Sequence, residues 1–521
     1  MKAFSMDNST MTFFSILFQR GEDRSRAQTA QAPDFFHDLN LDQIVDAITA
    51  SKEEYNLKSY FYTPLNDIDA ITYRHEVWQD LEDPILLKHI NSFARKMGSM
   101  RAELTQADKL YYKYQKQRWL LSAAGIYCDA IDSLAADVSL VDLKSRGLLA
   151  FRDYLMAYLK SEGFTSLRAE TEQLQADLST IKYSVLIKNG GFKVRKYNSE
   201  NDYSLEVEET FAKFKQGAVK NYRITFSEWA EMNHVEAKVL DYVALLYPEI
   251  FSSLDAYCQK NRNYLDETIT VFDREIQFYI AYLEHLEIFK RTGFSFCYPR
   301  ISERSKEVYD YEGFDLALAY RLRSEKSPVV CNDFYLKDRE RILVVSGPNQ
   351  GGKTTFARAF GQLHYLASLG CLVPGREARL FLFDQLFTHF EMEEDIENLR
   401  GKLQDDLIRI HQILKQATSN SIVILNEIFT STTLQDEIFL SKRVMEEIIR
   451  LDLLCVWVTF VDELASFGEQ TVSMASTVFP EDTTRRTFKI LRRPADGLSY
   501  AMSIAEKYRL SQDKLKKRLK I

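Results

Sequence analysis

From Phe35 to Ile181 apolar positions recur at helical spacing, and Pro64, Pro84 and Gly163 mark short connections. Leu167, Leu174, Leu178 and Ile181 follow at sevens, fours and threes, which predicts a helix burying one seam. The period then changes. Tyr183, Val185 and Ile187 alternate with polar residues, Asn189-Gly190-Gly191 supplies a turn, and Phe192, Val194 and Lys196 continue beyond it. Asn-Gly between alternating runs predicts a β-hairpin, and Ser204–Val207 can add a third strand. Helical spacing returns near Trp229. Leu265, Ile269, Phe272, Ile276, Tyr279, Leu283 and Leu286 then repeat 4-3-4-3-4-3, a heptad seam. A small β insertion therefore interrupts two long, coiled-coil-like helical arms.

From Phe294 onward the pattern is mixed. Continuous apolar runs predict strands at Leu380–Phe383, Ser421–Leu425, Leu453–Thr459 and Thr487–Leu491, with helices between them. That alternation indicates an α/β domain with a largely parallel sheet. The chain thus divides into a lead-in (1–34), a first helical part (35–182), a basic β insertion (183–226), a second helical part (227–297) and the α/β domain (298–521). The polar lead-in is expected to be loosely attached.

One stretch carries recognisable chemistry. The β-branched run 342–345 leads into Ser346-Gly347-Pro348-Asn349-Gln350-Gly351-Gly352-Lys353-Thr354-Thr355, which contains Gly-x-x-x-x-Gly-Lys-Thr, the P-loop pattern. Glycines let backbone N–H groups curl around an anion, and the helix that follows points its positive end at the same place. In that role Lys353 reaches the β- and γ-phosphates of ATP and the Thr354 hydroxyl ligates Mg²⁺. A glycine-rich turn that binds nothing is the alternative. Ser421-Ile422-Val423-Ile424-Leu425-Asn426-Glu427 has the form of a second nucleotide strand, a core strand ending in two polar residues. At such a strand end the first residue holds Mg²⁺ through water and the second orients or deprotonates the attacking water.

Composition narrows the partners. Ten prolines and nineteen glycines in 521 residues favour long helices over loop-rich β architecture. A formal charge of −8 gives no overall basic signature, so any nucleic-acid contact has to come from a local patch. Lys188, Lys193, Arg195 and Lys196 form one around the hairpin, with Tyr183, Phe192 and Tyr197 interleaved and Lys213, Lys215, Lys220 and Arg223 following. Such a hairpin can grip a nucleic-acid backbone, or its lysines can simply keep strand edges soluble. The basic run 514–520 reads as a solvated helix end, with a DNA contact as the alternative. Six scattered cysteines without a C-x-x-C pair argue against a zinc site or a disulfide framework, and a cytoplasmic location is expected. The apolar run 11–18 is short and can mimic a signal peptide, and no stretch is long enough to span a membrane.

These motifs together resemble the MutS family. Gly347-Pro348-Asn349-Gln350-Gly351-Gly352-Lys353-Thr354-Thr355 is similar to its G-P-N-x-G-G-K-S-T loop, and Pro-Asn is far more specific than the generic pattern. Val330-Cys331-Asn332-Asp333 resembles the V-P-N-D segment ahead of that loop, and Cys371-Leu372-Val373-Pro374 sits where the family has x-x-V-P. Asn426-Glu427-Ile428 with Thr432 and Asp436 resembles D-E-I-G-R-G-T-S-T-x-D. Thr459-Phe460-Val461-Asp462-Glu463-Leu464 takes the place of T-H-x-x-E-L. The resemblance implies an ABC-type P-loop ATPase domain, a lever of helices with a clamp-like β insertion, ATP and Mg²⁺ as ligands, and a homodimer on DNA.

The departures are informative. Asn426 stands where the family has its Mg²⁺-associated aspartate, and Phe460 where it has the histidine that senses the γ-phosphate. By spacing, Gly401 and Lys402 replace the Ser-Thr that a partner subunit presents across the dimer; Lys402 can still offer a charge there. Glu427 survives as the base. The resemblance therefore implies tight ATP binding with slow hydrolysis, because electrostatic stabilisation of the transferring phosphoryl is what these changes reduce. With residues 1–34 ahead of the helical core, no mismatch-reading domain with a Phe-x-Glu wedge is expected, nor a long dimerisation or nuclease extension at the other end. Two functions follow: an ATP-gated dimeric clamp on duplex, mismatched or branched DNA, or an ATP-dependent switch gripping a protein or a ribosome. A nucleotide-binding scaffold without turnover is a third.

Overall fold

The computed structural model describes residues 13–188, 190–199, 232–325, 328–390 and 401–495, with the isolated positions 203, 207 and 210. Residues 204–206 of the expected third strand, Lys213, Lys215, Lys220, Arg223 and the basic run 514–520 lie outside them. The chain forms two units: Asp80–Lys144 and Leu148–Asp273 with Phe13, and Phe14–Gln79, Ser145–Gly147 and Arg274 onward.

The first unit is built on two long helices, Pro84–Lys109 and Lys113–Ser139, which pack along each other. Pro84 occupies the first helical turn, where its missing N–H costs nothing, and the Asp83 carboxylate accepts from Ile85 N at 2.8 Å. Shorter helices Arg146–Leu159, Glu162–Ser179, His234–Leu246 and Pro248–Lys260 lie largely or wholly in the same unit. Asn233 and Glu236 cap the start of His234–Leu246 reciprocally. The expected hairpin is present as β1 (Tyr183–Lys188) and β2 (Gly191–Lys196), antiparallel, with Val185 opposite Val194. Its alternation does not mark a buried face: Tyr183, Val185, Leu186 and Ile187 are all exposed.

The second unit contains the remaining strands: β3 (Phe296–Cys297), β4 (Arg300–Ser302), β5 (Val308–Gly313), β6 (Asn332–Leu336), β7 (Ile342–Ser346), β8 (Val373–Pro374), β9 (Glu377–Phe381), β10 (Leu386–His389), β11 (Ile422–Asn426), β12 (Leu454–Val458), β13 (Thr471–Phe479) and β14 (Asp482–Arg492). Six of them form a sheet in the order β10-β11-β12-β7-β13-β14, parallel throughout except for β14. Every residue of β7, β11 and β12 is buried, which explains why these strands read as unbroken apolar runs. The run at Leu380–Phe383 belongs elsewhere, to a second sheet ordered β4-β9-β5-β6.

The helix Lys353–Ser368 follows β7 and is held along its length by N-terminal segments of the same unit. Arg358 Nε donates to Asp38 O at 2.8 Å, Gln362 Nε2 to Leu39 O at 2.8 Å, and Tyr365 Oη to Phe61 O at 2.8 Å. At its far end Arg74 Nη1 donates to Leu369 O at 2.7 Å and Trp78 Nε1 to Gly370 O at 2.8 Å. A Cβ on Gly361 would come within 2.7 Å of Leu39 and 2.8 Å of Ile424, so only glycine lets this helix approach both neighbours.

Two expectations need correcting. The lead-in is not loose throughout, because Ser15, Ile16, Leu17 and Phe18 are at most 2% exposed. The heptad seam also understates its helix, Glu267–Lys290: residues 275–282 are buried without exception, on every face. A helix buried all round is a core helix, not a two-stranded seam.

Candidate functional site

The loop between β7 and the helix Lys353–Ser368 adopts a conformation its sequence suits. Gly347 and Gly352 have φ of 121° and 89°, and Gln350 joins them at 59°. Space constrains the loop as well: a Cβ on Gly351 would overlap Ser476 Oγ of β13, which instead donates to Gly351 O at 2.8 Å.

Lys353 is 3% exposed and folds back on the loop, donating to Gly347 O at 3.1 Å and Pro348 O at 3.4 Å. Its Nζ lies 3.5 Å from Glu427 Oε1 and 4.1 Å from the centroid of the Phe460 ring. Burial pulls the Lys353 pKa below its ordinary value, the neighbouring Glu427 carboxylate opposes that shift, and Arg486 adds to it. Thr354 Oγ1 donates to Asn426 Oδ1 at 2.9 Å, so the two side chains expected around a metal ion meet directly. Glu427 follows Asn426 in a left-handed conformation, φ 54°, its N–H bonded to Val458 O at 2.9 Å. The end of β11 thereby aims a neutral amide and a carboxylate at the same loop.

Beside these groups opens a cavity of about 390 Å³. Gln350, Gly351, Gly352, Lys353, Thr354, Thr355 and Glu427 form its polar side; Leu318, Leu322, Pro328, Val329, Val330 and Phe488 form the apolar side. An apolar wall facing a few convergent polar groups is the usual form of a small-molecule site. The oxygen ligands are sparse: among the described residues, no group of three or more His, Cys, Asp or Glu is placed to hold a metal ion. A Thr hydroxyl, an amide oxygen and one carboxylate suit Mg²⁺ only in company with phosphate oxygens and water, which is how that ion is commonly bound.

The sequence reading missed the apolar wall and the way β14 reaches the loop. Ser476 pairs with Ile490 and Val478 with Arg486, so three residues of β14 lie opposite Thr477, a bulge. Phe488 sits at its centre with φ 58°. Asn332 anchors it, accepting from Ile490 N at 2.7 Å and donating to Phe488 O at 3.2 Å. Arg486, one step before the bulge, donates from Nε to Asn349 O at 3.2 Å. The polar pair Asn332-Asp333 between apolar residues was the local signal of that anchor.

Other named residues do not line this cavity. Gly401 precedes the helix Lys402–Gln416 and Lys402 begins it, neither lining the cavity. On the first unit's hairpin the register places Lys188, Lys193 and Arg195 on one face, because Leu186 pairs with Lys193 and Ser184 with Arg195. Lys196, opposite Tyr183, is on the other face, its ammonium 4.9 Å from the Tyr247 ring centroid. No helix among the described residues is long and apolar enough to cross a membrane.

Comparison with known proteins bears on the same region. Residues 343–517 match the family model for MutS domain V. The DNA mismatch repair protein MutS of Halalkalibacterium halodurans is 30% identical over 183 residues, 34% of this chain and 21% of that protein. The endonuclease MutS2 of Thermus thermophilus is 28% identical over 190 residues, 36% of this chain and 25% of that one. The MutS of Rickettsia bellii matches over 259 residues at 26% identity, 48% of this chain and 28% of its own length. The chain therefore spans about a quarter of the length of the curated relatives it matches. The G-P-N loop, the strand end that faces it and the matched domain agree with one another: over residues 343–517 this chain is similar to domain V of the MutS family.

Proposed function

We propose that the chain is an ATP-binding, slowly hydrolysing switch that clamps DNA as a homodimer. The observation that carries the nucleotide part is the convergence of Lys353, Thr354, Asn426 and Glu427 on one glycine-rich loop beside a cavity with an apolar wall. In this reading the loop N–H groups and the start of the helix Lys353–Ser368 bind the phosphates, and the base lies against Leu318, Leu322, Val330 and Phe488. Lys353 exchanges its two carbonyl partners for phosphate oxygens. Thr354 and Asn426 would hold Mg²⁺, Thr354 directly and Asn426 through water, and the ion would neutralise charge on the β- and γ-phosphates. Glu427 orients the attacking water and accepts its proton. Asn426 brings no negative charge to the ion, and Phe460 turns a ring rather than a donor toward Lys353. Transition-state stabilisation is thereby weakened, and turnover is slow.

The DNA part rests on Lys188, Lys193 and Arg195 sharing one hairpin face, a spacing suited to phosphates. Lys196 belongs to the same basic segment, although its ammonium is engaged by Tyr247. Without a base-reading element in this proposal, binding depends on DNA shape and charge. The experiment is ATP turnover by the purified protein with linear, mismatched and branched DNA, with Glu427→Gln as control. Turnover that rises with one DNA form and vanishes in the control supports the clamp. Nucleotide binding with turnover indifferent to every DNA would instead favour a switch that grips a protein or a ribosome.

A further inference from the structure

Glu427 is aimed at the loop by a short turn whose shape is costly. Both Glu427 and Phe429 are left-handed, with φ of 54° and 62°, and neither is a glycine. Such a turn persists only where its neighbours over-determine it. The Glu427 N–H is held by Val458 O of β12 at 2.9 Å, a tie between backbone groups. The second tie is a side chain: the Asp406 carboxylate accepts from Phe429 N at 3.2 Å.

Asp406 lies on the helix Lys402–Gln416, one turn beyond Lys402. Its other oxygen accepts from His389 Nε2 at 3.0 Å. His389 ends β10 and pairs in register with Leu425, so it stands beside the end of β11. An ionised carboxylate only accepts, which assigns a proton to Nε2. Among the described residues the buried Nδ1 has no hydrogen-bonding partner, so Asp406 is the polar group that orients the ring. Neither His389 nor Asp406 lines the cavity.

Apolar packing alone does not set this turn. Ile428 and Phe429 are buried in one cluster with Ile410 and Ile413 of the helix that carries Asp406. That burial fixes where the turn sits. It does not fix how the peptide plane before Phe429 is rotated, because apolar contact is non-directional. A hydrogen bond is directional, and one to a charged acceptor is among the stronger. Rotation of that plane is passed back through Ile428 to Glu427, whose carboxylate lies 3.5 Å from Lys353.

We propose that Asp406, oriented by His389, is a positioning residue for Glu427: it fixes the turn that presents the base to the attacking water. The proposal rests on the nucleotide reading above. It makes the helix that Lys402 begins a determinant of this chain's own turnover.

The test is ATP turnover by the full chain at saturating ATP and Mg²⁺, beside titration with a fluorescent ATP analogue. The proteins are the wild type, Asp406→Ala, Asp406→Asn and His389→Gln. Expected in Asp406→Ala is a kcat lower by about tenfold or more with analogue affinity within about threefold, because a misplaced base slows attack and leaves phosphate binding alone. Asp406→Asn keeps an oxygen for Phe429 N and His389→Gln keeps a donor for Asp406, so each should retain at least about a third of the wild-type kcat. Melting temperatures without nucleotide identify a variant that fails to fold; if Asp406→Ala does, His389→Leu takes its place with the same expected split. A kcat in Asp406→Ala within about threefold of wild type would overturn the proposal. So would an affinity that falls as far as kcat, the mark of a general loss of site structure, or an Asp406→Asn as slow as Asp406→Ala. A wild type that binds the analogue and releases no phosphate from ATP would overturn the base role of Glu427 itself, a failure visible without any variant.

Discussion

Glu275 offers a quantitative test of how the N-terminal segment is held. Its carboxylate is fully buried and accepts from Ser15 Oγ at 2.8 Å and Ile16 N at 2.9 Å. Tyr73 and Tyr279 bond the carbonyls of Ser15 and Ile16 at 2.6 and 2.7 Å, so the segment is gripped from both sides. Burial raises the Glu275 pKa from 4.5 to about 7, against the opposing hydrogen bonds from Ser15 and Ile16 and the charge of Arg24. The folded state thus binds this proton more tightly than the unfolded chain. Below pH 4.5 the carboxyl is protonated in both states and its share of stability is fully present; it is lost as pH rises toward 7, and the loss is constant beyond. At 1.36 kcal/mol per pKa unit the whole loss is about 3 kcal/mol, of which roughly 1 kcal/mol has accrued by pH 5. Glu275→Gln keeps the shape and cannot ionise. The variant should therefore gain on the wild type from pH 5 to pH 8, its melting temperature ending on the order of 5 °C higher or more. Thermal unfolding at several pH values, followed by tryptophan fluorescence, reads this directly, since Trp78 lies 4.6 Å from Tyr279. A gap between the two proteins that does not change with pH, or that closes as pH rises, would refute the reasoning.

Further outcomes are expected. Gly361→Ala should cost about 1–3 kcal/mol, because its methyl overlaps Leu39 and Ile424, and denaturant titration measures it. Arg74→Ala should cost about 3 kcal/mol or more, since it strips charged bonds from Leu17 O and Leu369 O at 3.0 and 2.7 Å; a drop in melting temperature reports it. Asn426→Asp combined with Phe460→His should raise ATP turnover about tenfold or more, by restoring a carboxylate beside Thr354 and a donor beside Lys353. Neutralising Lys188, Lys193 and Arg195 together should weaken DNA binding and flatten its salt dependence, whereas Lys196→Gln alone should do less, read by fluorescence anisotropy at several salt concentrations.

What the sequence determined by itself is what depends on neighbours along the chain. The runs that became β7, β11 and β12 were legible because strands buried on both faces read as nearly continuous apolar runs, with Ser346 and Asn426 polar only at the strand ends. The hairpin β1–β2 was legible from a turn dipeptide between alternating residues. Tertiary structure decided what depends on contacts between distant segments. β10 and β13 were not foreseen, being short or polar in places and identifiable only by the strands they join. The helix Glu267–Lys290 read as a seam because its heptad positions are apolar; polar residues such as Glu275 and Gln277 disguised its full burial. Glu275 can be buried because residues 15–16, some 260 positions away, supply its partners. The bulge that brings Phe488 to the cavity and Arg486 to the loop is likewise held by Asn332 and Thr477, and no period along β14 predicts it. Periodicity records which face of an element is buried; it carries no record of which distant side chain satisfies a buried polar group.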